Sequence, residues 1–193
     1  MKFTYSIPTK ILFGPGSFND LATTPLPGKK ALVVITAGKS MRANGYLDRL
    51  IDMLDKQGIG HALFDKILPN PVLRHVHEGA ALAREQGCDF VIGLGGGSSI
   101  DSAKSIAVMA KNPGDYWDYI SGGSGKGQPL VNGALPIVAI ATTAGSRPVD
   151  RHHQRGHQRE DRLRLRGNLP RALRSGPGND ADHPGAPDRL SGL

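Results

Sequence analysis

Apolar residues along this chain fall into short continuous runs that alternate with stretches of helical spacing. Ala31–Ile35 (ALVVI) and Phe90–Leu94 (FVIGL) are unbroken runs, and Leu135–Ala141 is nearly one. Runs of this length read as strands buried on both faces, the habit of parallel sheets covered by helices. His61–Phe64 adds a shorter strand. Between the runs, Leu47, Leu50, Ile51 and Leu54 share one helical face, stopped by Gly58 and Gly60. Leu73, Val76, Ala80 and Ala83 make the next helix. Ile100, Ala103, Ile106, Ala107 and Ala110 make another, with Ser98 and Ser99 placed to cap it. At the N-terminus, Phe3–Phe13 alternates unevenly around Pro8 and reads as a strand pair or edge ribbon ending at Gly14-Pro15-Gly16. Ser17 then caps a short helix through Leu21. Strands alternating with helices predict an α/β fold, a Rossmann-like doubly wound parallel sheet.

In such sheets ligands sit outside the carboxyl ends of the strands. Three of those ends carry suggestive groups: Thr36 to Ser40, including Gly38, Lys39 and Ser40; Gly95, Gly96, Gly97 and Ser98; and Thr142-Thr143. The glycine turn joins a strand to a helix, which aims free N–H groups and a positive dipole end at an anion such as a pyrophosphate. It matches neither G-x-G-x-x-G nor G-x4-G-K-[ST], so a plain tight turn is the competing reading. One extended ligand touching all three ends would be a dinucleotide. The threonines also read as a strand end with turn-favouring hydroxyls.

The turn after the first long strand bears on which dinucleotide. No Asp or Glu lies between Thr36 and Leu47, where an acid would accept from a ribose 2′-hydroxyl; Lys39, Ser40 and Arg42 lie there instead. That predicts NADP, with NAD the alternative and an incidental solvated turn the bland reading. Asp101 and Lys104, one helical turn apart, predict an ion pair. Tyr116, Trp117 and Tyr119 either cover a cleft or anchor their glycine-rich loop, and the anchor is favoured. His75 and His77, two apart on a helix, face different ways and make a poor metal pair.

The residues from Pro69 to Val108 resemble the iron-containing (group III) alcohol dehydrogenase family. The resemblance rests on Pro69 and Pro71, Val76, Gly79, Asp89, the GGGSS turn, and Asp101 with Lys104. Pro8–Ser17 (PTKILFGPGS) and Ala141–Gly145 (ATTAG) extend it over most of residues 1–145. It implies hydride transfer between NAD(P)H and a small alcohol or aldehyde, assisted by iron or zinc. It implies too that Thr142 and Thr143 lie along the cofactor and that Asp101 faces the cofactor region; the sequence leaves the oligomeric state open, a homo-oligomer of the intact enzyme being compatible with it. The absent acid after the first strand looks like the NADP-using, butanol-dehydrogenase-like branch. The family's metal ligands, one Asp and three His in a helical second domain, are expected to be absent, so no catalytic or metal-binding residue is assigned.

Composition changes that picture after residue 145. Fourteen of the 24 basic residues and eleven of the 17 acidic ones precede Ser146, so the first part carries +3 and the tail +4. The tail's basic residues are all Arg, and it holds one Val and no Ile, Phe, Tyr, Trp or Met. Such a segment buries too little apolar area to offset its ordering entropy and is expected to be disordered. The domain assignment is therefore 1–145 for the dinucleotide-binding unit and 146–193 for an Arg/Pro/Gly-rich tail. Where the family continues with TGSE and a segment like DPWTVIT, this chain has SRPVDRHHQ. Reading the codons of Arg147–Gln154 one nucleotide later permits DPWTVITN, and Gly176–Pro187 permits DPEMMLTIPARL. The tail is thus expected to be out of frame from about Ser146, leaving an incomplete cofactor-binding half without turnover. His153 and His157, at i,i+4, are not expected to bind metal. Specific nucleic-acid binding is not expected either, for the Arg-rich tail lacks base-reading partners. A single cysteine, Cys88, no apolar stretch of membrane-spanning length and no secretory leader predict a cytoplasmic protein without membrane contact.

Overall fold

The computed structural model describes residues 9–69 and 71–143. Among them, four strands form one parallel sheet: β1 (Lys30–Thr36), β2 (Gly60–Ile67), β3 (Phe90–Gly95) and β4 (Ile137–Ala141), in the order β2-β1-β3-β4. The connections carry α1 (Ser40–Ala43), α2 (Tyr46–Lys56), α3 (Leu73–Glu85) and α4 (Gly97–Lys111). Alternation along the strands feeds two cores. Leu32, Val34 and Val91 face α3 and α4, whereas Ala31, Val33, Ile35, Phe90, Ile92 and Leu94 face α2 and the segment around Leu21. Both faces are covered, as the continuous apolar runs predict for a doubly wound α/β sheet.

Several expectations need correction. Residues 9–13 belong to no strand, and Phe13 is 96% exposed; the first eight residues of the expected ribbon lie outside the described set. The helix expected from Ser17 is a 3₁₀ turn at Asn19–Ala22 without a side-chain cap. It is held to α2 instead, by Gln57 Nε2 donating to the Leu21 carbonyl (2.7 Å) and Arg49 to Asn19 Oδ1 (2.6 Å). The helix expected over Leu47–Leu54 is α2, and Gly45, in the left-handed region at φ +68, separates it from the short α1. The last strand, expected to be buried, is half-exposed, because among the described residues it pairs with β3 alone. Expectations for residues 144–193, including disorder and the histidine pair, lie outside the described residues.

One contact fixes two strands against each other and another fixes two helices. The Asp89 carboxylate accepts from the backbone N–H groups of Lys29 (2.8 Å) and Lys30 (2.9 Å), tying the start of β3 to the start of β1. Gly79 lets α3 lie against α4, since a Cβ there would stand 2.5 Å from Ile106 Cδ1.

Candidate functional site

In the order β2-β1-β3-β4 the chain leaves β1 toward one edge and β3 toward the other. A crevice opens where the carboxyl ends of β1 and β3 diverge, the place at which such sheets take ligands. Gly38, Lys39 and Ser40 follow β1, and Gly95 to Ser98 follow β3. Met41, in α1, bridges the two: its sulfur lies 3.8 Å from the position a Cβ on Gly95 would occupy.

Gly95 sits at φ +134, which side chains rarely adopt, and a Cβ there would also meet Ser99 Oγ at 2.9 Å. Its carbonyl accepts from Thr142 N (3.0 Å), so the third carboxyl end reaches the same turn. Gly93 serves packing: a Cβ would stand 2.9 Å from Ala103 Cβ and 3.0 Å from Ile100 Cα. Its absence lets α4 lie directly on β3. α4 begins at Gly97 with Gly96 as an uncapped N-cap, earlier than the apolar spacing indicates. The small residues of this first turn carry no periodic signal.

Ser98 and Ser99 are therefore inside the helix and do not cap it. Ser98 Oγ donates to the Pro69 carbonyl (2.8 Å), pinning the turn to the proline segment. Ser99 Oγ is buried without a partner. The N–H groups of Gly97, Ser98 and Ser99 stand in the first turn, beyond reach of any helical carbonyl. At Gly96 a Cβ would meet only Thr143, at 3.5 Å from Oγ1, an ordinary contact. The gap beside Gly96 is thus open in the protein and would be filled by any larger side chain. Orphaned donors, a helix N-terminus and that open cradle fit a pyrophosphate.

Asp101 lies one turn further along α4, its carboxylate 3.3 Å from Lys104 Nζ, as an i,i+3 pair. The aromatic loop is an anchor. Tyr116 is fully buried, its hydroxyl bonded to Ser105 Oγ (2.9 Å), and burial pushes its pKa up to about 12. Tyr119 donates to the Pro113 carbonyl and Trp117 Nε1 to Ser124 Oγ. His75 is buried, and burial lowers its pKa. His77 Nε2 lies 3.3 Å from Asp115 Oδ2 without the alignment of a hydrogen bond. No group of three or more His, Cys, Asp or Glu side chains able to hold a metal occurs among the described residues. They do not fit iron or zinc. No helix among them is long and apolar enough to cross a membrane.

A wide concavity of about 1450 Å³ lies beside the crevice, not in it, between residues 9–18 and the uncovered side of β4. Lys104, Thr142 and Thr143 reach its wall, so it opens onto the threonine end of the site.

Sequence reasoning did not single out Met41, the buried Ser99 hydroxyl or Asp65, whose carboxylate pairs with Arg42. The pairing of β2 with β1 brings Asp65 there, and no short-range pattern carries it.

The sequence pattern of the family described as "Iron-containing alcohol dehydrogenase" matches residues 8–147. The probable NADH-dependent butanol dehydrogenase 1 of Bacillus subtilis (strain 168) is 37% identical over 144 residues, which are 75% of this chain and 36% of that protein. The 1,3-propanediol dehydrogenase of Klebsiella pneumoniae is 36% identical over 146 residues, again 75% of this chain and 36% of that protein. The crystal structure of NADH-dependent butanol dehydrogenase A from Thermotoga maritima superposes with a TM-score of 0.63 at 34% identity, covering 73% of this chain and 34% of that one. The chain thus spans about a third of the length of the relatives it matches. With that match over most of its length, the chain belongs to the iron-containing alcohol dehydrogenase family.

Proposed function

We propose that residues 1–145 are the nicotinamide-dinucleotide-binding unit of an alcohol dehydrogenase, serving hydride transfer between NAD(P)H and a small alcohol or aldehyde. The observation that carries this reading is the convergence of the β3 and β4 ends on one cradle: the uncapped start of α4, the open side of Gly96, and Thr143 beside it. The bound nicotinamide supplies or accepts the hydride. The first-turn N–H groups of α4 hold the pyrophosphate, and Gly95 and Gly96 let it approach the backbone. Thr142 and Thr143 orient the nicotinamide end over β4, while Gly38, Lys39 and Ser40 receive the adenosine end over β1. Asp101 faces the cofactor from the second turn of α4 and keeps its pairing with Lys104. Iron or zinc in the family acts on the substrate oxygen; its ligands are not among residues 9–69 and 71–143, and no step is assigned to it.

The cofactor proposed is NADP(H) in preference to NAD(H), since no acid lies between Thr36 and Leu47 and Lys39 is exposed there. Fluorescence titration of the full chain with NADPH and NADH is the test. Saturable binding, tighter for NADPH, is expected; equal or tighter NADH binding overturns the preference, and no binding overturns the whole reading. For the segment from about Ser146 we propose a shifted reading frame. Sequencing the gene across the codons of Ile140 to Leu193 checks it, and an unshifted frame through Arg147–Gln154 overturns it.

A further inference from the structure

Arg42 is not a free cation. Its guanidinium pairs with the Asp65 carboxylate, 23 residues away in the chain, and the two side chains stay 50% and 44% exposed. Asp65 reaches this position through an irregularity in the sheet. The β1–β2 ladder runs Val34↔Phe64 and then Thr36↔Ile67, so Ile35 alone stands opposite two residues, Asp65 and Lys66. Bulges of this kind re-aim a side chain at the edge of a functional site. Neighbouring Lys66 is drawn off toward Glu78, 3.7 Å away, and leaves the Asp65 charge to Arg42. Arg42 directly follows Met41, whose sulfur lies beside the glycine turn, and Asp65 lies in β2, so the pair borders the crevice on its β2 side.

We infer that Asp65, acting through Arg42, restrains the site's discrimination for NADP(H) over NAD(H). The inference rests on the proposed dinucleotide reading. A dinucleotide with its pyrophosphate at α4 and its nicotinamide over β4 extends its adenosine ribose over β1 toward β2. There a 2′-phosphate needs cationic donors, and a 2′-hydroxyl needs an acceptor. Asp65 works through Arg42: paired with the carboxylate, the guanidinium is a weaker donor to a 2′-phosphate than it would be alone. An exposed pair of this kind contributes little to stability, so removing it tests recognition, not folding.

The experiment is titration of the full chain and its variants with NADH and NADPH, reading the ratio of the two dissociation constants. Both constants come from one preparation, so the folded fraction cancels in the ratio. D65N is expected to raise Kd(NADH)/Kd(NADPH) about five- to tenfold, the size of one unit charge acting near a solvated phosphate. D65E, which keeps the charge, is expected to retain the wild-type ratio. R42Q is expected to lower the ratio, and D65N made on top of R42Q should shift it much less than alone. D65S takes the place of D65N if that variant does not fold. An unchanged or lowered ratio in D65N, or an equal shift with and without Arg42, overturns the inference. Failure of the wild-type chain to bind either cofactor is a different result, and overturns the parent reading.

Discussion

At the scale of single residues, glycines and carboxylates divide the work. Gly96 is free of contacts that a side chain would violate, whereas Gly95 and Gly93 are held by conformation and by packing. Gly96→Val is therefore expected to abolish NADPH and NADH binding while costing only about 1 kcal/mol of stability. Paired urea unfolding and fluorescence titration check this, and retained binding with a valine in the cradle counts against the pyrophosphate position. Asp89 makes a second prediction. Burial works against its charge, but the N–H bonds from Lys29 and Lys30 outweigh that and hold its carboxyl below the ordinary 3.8. With the folded pKa depressed, its stabilisation is full above the ordinary value and is lost as pH falls through the folded one. Asp89→Asn presents one acceptor and an N–H₂ to two donors. It should cost about 1–2 kcal/mol at pH 7, at the low end because the site is exposed, and less below pH 4. Urea midpoints from pH 3 to 7 that stay parallel for the two proteins would refute the assignment.

At the scale of elements, α3 and α4 are packed together more tightly than any side chain on Gly79 permits. Ile106 Cδ1 and Cγ1 lie 2.5 and 2.9 Å from a Cβ there, with Phe64 Cδ1 at 3.4 Å, all in a core without solvent access. Gly79→Ala is expected to cost about 1–3 kcal/mol through overpacking, although alanine is the better helix former. Ile106→Val removes the nearest atom, so the double variant should lose less than the sum of the two singles. Additive losses in chemical denaturation would mean that α3 shifts away as a unit. The strain belongs to the helix pair and to neither helix alone.

At the scale of the whole molecule, β2 and β4 are the edge strands among the described residues, and β4 is the one that borders a wide concavity. Among the described residues β4 pairs only with β3, and Ala139 and Ala141 are exposed on it beside the concavity that Phe13 overhangs. An open parallel edge with apolar surroundings invites pairing with other chains. The full chain is expected to self-associate with rising concentration. Ala139→Lys, a charge on that edge, should raise the monomer fraction in light scattering without weakening NADPH binding. No change in association would place the contact elsewhere.

The order of strands and helices was legible in the residues because burial on both faces leaves an uninterrupted apolar run, and a helix buried on one side leaves a periodic stripe. β1, α3 and β3 therefore emerge within a residue or two of their bounds. The glycine turn was legible as well, since only glycine tolerates φ +134 at Gly95. The start of α4 was not, because Gly97, Ser98 and Ser99 are small and polar and add nothing to periodicity. Ser98 turns out to serve Pro69, and the orphaned hydroxyl belongs to Ser99. Nor could local pattern show that Asp65 answers Arg42. That contact depends on parallel register and on one extra residue in β2. The sequence by itself determined which segments must be buried and where the chain must turn. Tertiary structure alone decided which turns share a crevice, because pairing between strands distant in the chain is set by the closure of the whole sheet.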